Sequence, residues 1–133
     1  MNWKLIVALS MFGLGMAVAT VYAVPSKVEP AFWLAIFLVC ATVIAKRAPG
    51  RYFLHGLCVS LVNCVWITSA HILLFDAYAV SHADEVAMAG RMGVPPRAAM
   101  AIMGPVVGVV SGLVLGLFSV IASKIVKPAV KAA

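Results

Sequence analysis

Charge is what this 133-residue chain has least of. Asp, Glu, Lys and Arg make up 11% of it, against about 25% in an ordinary soluble domain. Acidic charge is scarcer still, with 4 Asp and Glu against 10 Lys and Arg. Hydrophobic residues reach 65%, and a soluble domain of this size has too little interior to hide them. Cysteine is scarce and poorly spaced for chemistry. Cys40, Cys58 and Cys64 all fall inside apolar runs. An odd number without paired spacing excludes a disulfide framework and a zinc site; each reads as a small buried hydrophobe. No catalytic motif, nucleotide loop or metal signature is present. Haem ligation by two histidines is also excluded, because His55 and His71 lie on different faces of one helix.

What the chain does have is four runs free of Asp, Glu, Lys and Arg: 5–23, 31–45, 53–75 and 98–122. They are continuous and lack the alternation of barrel strands, so they predict helices. A helix needs about 20 residues to cross the hydrocarbon. The second run is short and must borrow flanking residues or thin the bilayer. Lys4, the apolar stretch and Val21-Tyr22-Ala23 together look like a signal peptide. The run is nevertheless long enough to span, and a retained helix is expected. The fold class is therefore all-α: one integral-membrane four-helix bundle over residues 1–133.

Orientation follows from Lys and Arg. Lys4, Lys46, Arg47, Arg51, Lys124, Lys127 and Lys131 share one side, and Lys27, Arg91 and Arg97 the other. Seven against three predicts that both termini are cytoplasmic, and argues against dual insertion. The same placement ties the net charge of +6 to membrane topology, so no nucleic-acid partner is expected. Trp3, Tyr22, Trp33, Tyr52 and Tyr78 fall near the predicted interfaces, as an aromatic belt does. The third loop, 76–97, is the long one and holds Asp76, Asp84 and Glu85. Ser81 is placed to cap a short interfacial helix that Gly90 or Gly93 would end. Pro95-Pro96 then starts the fourth span.

Three constellations are candidates for function. Gly104, Gly108, Gly112 and Gly116 recur every four residues and form one stripe on a helix, the spacing of a glycine zipper. Gly13 with Ala17 offers a small face that could meet it. Pro105 invites a kink nearby. In the third span, Gly56, Ser60, Asn63, Cys64 and His71 share about a third of the helical wheel. His55 and Trp66 fall outside that arc. Ser60, Asn63 and His71 read either as glue between helices or as the wall of a small polar cavity. The third constellation is His71, Asp76, His82, Asp84 and Glu85 near the outer face. These are suitable metal-ligand types in no known spacing, so a solvated acidic loop is the simpler reading, and no cofactor is expected.

From about Arg51 onward the chain resembles a group of small uncharacterised bacterial four-span membrane proteins. The resemblance is carried by Phe53-Leu54-His55-Gly56, Ser60-Leu61-Val62-Asn63, Phe75-Asp76, Asp84-Glu85, Gly104-Pro105 and the run from Gly112 to Lys124. It implies a bacterial inner membrane and supplies no activity. The expected function is a non-enzymatic module that assembles with itself or with other membrane subunits through the glycine stripe. One alternative is a small-solute or ion transporter that uses the Ser60, Asn63 and His71 face as an oligomer. The other is a membrane metalloprotein or enzyme that uses the outer cluster.

Overall fold

The computed structural model describes residues 1–127; Lys131, counted above for orientation, lies outside them. The described residues form six helices: α1 Trp3–Tyr22, α2 Glu29–Arg47, α3 Tyr52–Leu73, α4 Phe75–Ser81, α5 Ala83–Gly90 and α6 Pro96–Ile125. Four of them, α1, α2, α3 and α6, are long and apolar enough to cross a membrane.

Local chemistry sets the helix ends. The Asn2 side chain accepts a hydrogen bond from the Leu5 amide at 3.1 Å and caps α1. α2 opens with Glu29 and Pro30 and closes with Lys46 and Arg47, each charge matching the helix dipole at its end. Those flanks extend the short second run to 19 residues, about 28 Å at 1.5 Å per residue. No thinning of a bilayer is then needed. Gly50 (φ 104°) and Arg51 (φ 50°) turn the chain from α2 into α3 in the left-handed region. α6 begins after Pro95 and runs through Pro105 as one helix of 30 residues.

The long loop differs from expectation. It forms two short helices, α4 and α5, which meet at His82. Ser81 does not cap α5. It is the last residue of α4, and its hydroxyl donates to the Val21 carbonyl at the end of α1. The cause is apolar: α4 buries Tyr78 and packs against α1, which fixes the loop before α5 begins.

α3 is the central helix. It packs along its length on α6 and on its other side against α1. The glycine stripe makes the first contact possible. A Cβ on Gly108 would lie 2.6 Å from the Cβ of Cys64, one on Gly112 2.7 Å from Leu57, and one on Gly116 2.8 Å from the Phe53 ring. A Cβ on Gly104 would collide with the Thr68 hydroxyl. Gly56 answers from α3, where a Cβ would lie 2.7 Å from the backbone of both Leu115 and Gly116. The two backbones therefore approach more closely than any side chain allows.

The core lies in the half of the bundle near the chain termini. It joins Leu5, Ile6 and Leu9 of α1, Cys40, Ala41 and Ile44 of α2, Val59 of α3 and Leu115 of α6. The outward faces of the long helices are apolar too, with Val18, Val65, Val110 and Leu117 exposed.

The close approach of α3 and α6 can be tested. Gly56→Ala is expected to destabilise the bundle by about 1–3 kcal/mol, because backbone atoms cannot move aside for a methyl group. Gly15→Ala, with nothing within 4 Å of its Cβ position, is expected to be neutral or to stabilise by up to about 1 kcal/mol. Thermal unfolding in detergent followed by circular dichroism compares them; equal losses in both would refute the contact.

Candidate functional site

α2 is anchored at one end only. Its buried residues, Cys40, Ala41, Ile44 and Ala45, all lie in its second half. There it meets α6. A cleft of about 910 Å³ is lined by α2, α3 and α6, with Tyr78 of α4 and Glu85 of α5 at its edge. Met88 and Ala89 of α5 and Met92 just after it also line the cleft.

The cleft walls differ in character. Trp33, Leu34 and Phe37 of α2 face Met100, Met103 and Val107 of α6, an apolar pair of walls. Ser60, Asn63, Cys64, Thr68 and His71 of α3 supply a polar one. Ser26, Glu29, Tyr78 and Glu85 line the end nearest α4 and α5. The three residues expected to share a polar face, Ser60, Asn63 and His71, thus all reach one cavity.

Asn63 is the exceptional member. It is 3% exposed, and neither its amide oxygen nor its amide nitrogen has a hydrogen-bond partner among the described residues. Its amide lies against Gly13 of α1, in the space a side chain there would occupy. A buried unpaired amide costs about 1–3 kcal/mol, so the position is held against a penalty. Gly13 therefore nests on α3 and does not meet the stripe of α6. Ala17 is fully buried beside it on α1.

His71 has a definite hydrogen-bonding pattern. Its Nε2 lies 3.0 Å from the Thr20 hydroxyl. That hydroxyl has one proton and donates it to the Met16 carbonyl at 2.9 Å. It therefore accepts from Nε2–H, which leaves Nδ1 of a neutral His71 as an acceptor. The His71 ring stacks on Tyr78 at 4.3 Å, and Tyr78 stacks on His82, also at 4.3 Å. His82 is 1% exposed, and neither ring nitrogen has a partner among the described residues. Burial pushes the Tyr78 phenol up to about 12, with the Glu85 and Glu29 carboxylates adding to it. The Ser26 side chain holds the Glu85 carboxyl below its ordinary value, against a smaller opposing effect of burial.

The outer cluster expected from the sequence is dispersed. Asp76 pairs with Arg97 at 3.1 Å on the exposed surface, and Arg97 also lies over the Phe75 ring. Asp84 is exposed. His71 and His82 are separated by the Tyr78 ring. Among the described residues no three His, Cys, Asp or Glu side chains converge as metal ligands would.

The glycine stripe is occupied within the chain, since each of its four positions faces α3. Three features were not foreseen from the sequence: the aromatic stack, the place of Glu29 in the cleft and the role of His55. The His55 Nε2 accepts from the Asn2 backbone N–H at 3.0 Å, and its Nδ1–H donates to the Arg51 carbonyl at 3.0 Å. It ties the start of α1 to the start of α3. Trp66, also outside the polar arc, donates to the Ser10 hydroxyl at 3.3 Å.

Comparison with family models, curated proteins and solved structures gives no match.

The buried stack has a spectroscopic consequence. Absorbance titration at 295 nm in detergent is expected to show a phenol that ionises near 12. Tyr78→Phe should remove that component. A wild-type titration complete by pH 11 would contradict the burial of this ring.

Proposed function

We propose that the chain is a multi-pass inner-membrane protein that binds a small amphiphilic solute in the cleft between α2, α3 and α6, and that it is not an enzyme. The four apolar helices and their apolar outward faces support a place in the bilayer. The excess of Lys and Arg at the pole of the termini supports cytoplasmic N- and C-termini. The cleft then lies in the outer half of the membrane.

The observation that carries the reading is the polar wall of α3 set opposite two apolar walls. Pockets for small molecules combine mostly apolar walls with a few placed polar groups, in volumes of about 300–1,000 Å³. The cleft, at about 910 Å³, has that composition. The polar groups of that wall include the Ser60 and Thr68 hydroxyls and the His71 ring.

Assembly with other subunits is a separate reading. Its support is now the exposed apolar faces of the long helices, because the stripe packs on α3.

Native mass spectrometry of protein extracted in mild detergent tests the cleft. The wild type should carry a co-purifying amphiphile. Met103→Trp and Val107→Trp, which each narrow the cleft, should each lose most of that occupancy while keeping a wild-type circular dichroism spectrum. Unchanged occupancy in both folded variants would refute the proposal.

A further inference from the structure

The charge of the cleft is opposite to that of the chain. The chain has 10 Lys and Arg against 4 Asp and Glu. Yet the residues lining the cleft include Glu29 and Glu85 and no Lys or Arg. Half of the acidic residues are thus gathered at one cavity, on two different helices. Both line the cavity, Glu29 from the first turn of α2 and Glu85 from the first turn of α5. Such a pair, next to low-dielectric walls, favours a cation and repels an anion more strongly than it would in water.

The rest of the lining suits the same guest. Trp33 donates its indole N–H to the Glu29 carboxylate at 3.0 Å, which holds ring and charge together. Phe37 follows one turn on, edge to face with Trp33 at 6.2 Å. A ring beside a carboxylate is a favourable place for an organic cation, which gains from the charge and from the ring face together. Tyr78 does not compete for that role, because His71 and His82 cover both of its faces. Met88, Met92, Met100 and Met103 also line the cleft. Their flexible, polarisable side chains adapt to apolar bodies of differing shape.

We infer that the cleft selects a lipophilic monocation, an ammonium or similar charge on a compact apolar body, with the charge held between Glu29 and Glu85 and the body lying among Trp33, Phe37 and the methionines. The inference rests on the cleft reading and adds the sign of the guest. Charge complementarity excludes an anionic amphiphile, and the breadth of the methionine lining predicts tolerance of body shape.

Two probes of nearly equal size and opposite charge, tetraphenylphosphonium and tetraphenylborate, test it. Equilibrium binding to the purified chain in nonionic detergent is measured for each. The phosphonium is expected to bind saturably and the borate at least about tenfold more weakly. The Glu29→Gln, Glu85→Gln double variant keeps hydrogen-bonding capacity and removes both charges, and should lose most of the preference. Glu85→Lys should reverse it. Equal binding of the two probes, or a preference that survives the double variant, would overturn the assignment. Met103→Trp separates the two proposals. If it displaces the co-purified amphiphile while the wild type ignores the phosphonium, the cleft stands and the cation assignment falls. If it alters neither amphiphile nor probe, both fall.

Discussion

Everything else in the bundle depends on how closely α3 and α6 approach. With Gly56 set against the backbone of Leu115 and Gly116, and four glycines of α6 against α3, the two helices form a rigid antiparallel spine. Lipid tails are as apolar as leucine, so such packing, and not the exclusion of water, holds helices together in a membrane. One side of α3 is committed to α6 and another to α1. Its polar arc is left between them, where Ser60 and Asn63 are buried and His71 is half-buried. The place of the cavity follows from that commitment.

α2 completes the arrangement by packing on the core through its second half, with Ile36 and Phe37 partly buried against it. Cys40, Ala41 and Ile44 join the core there. Its first half has no buried residue. The same helix therefore closes the bundle at one end and opens it at the other. Because Glu29 and Trp33 lie in the open half, the sole acidic residue outside the long loop becomes part of the cavity.

The four long helices were legible in the sequence because each is an uninterrupted apolar run, and the polar face of α3 because 100° per residue groups its members. Periodicity assigns residues to a face but not a face to its neighbour. Hence Gly13 was paired with the stripe of α6, whereas the structure sets it beneath Asn63. The loop was harder to read. Tyr78 looked like an interfacial aromatic, but it is buried between His71 and His82, on three elements that no single helical pattern links. His55 fell off the polar arc for the same reason. Its partner is the backbone N–H of Asn2, which lies 53 residues away in the chain. Contacts of this kind depend on tertiary placement and leave no local trace.

The bonds along α1 fix its height at several levels. His55 holds its first residues, Asn63 fills the notch at Gly13, His71 bonds Thr20 and Ser81 bonds Val21. From Asn2 to Val21 these points span about 28 Å of helix, so α1 can neither slide nor tilt against α3 without breaking several at once. Among the described residues α2 makes no side-chain hydrogen bond to another helix: Trp33 bonds Glu29 and Thr42 bonds Leu38, both within α2. Three helices are thus keyed to their neighbours by polar contacts, and the fourth is held by apolar packing alone.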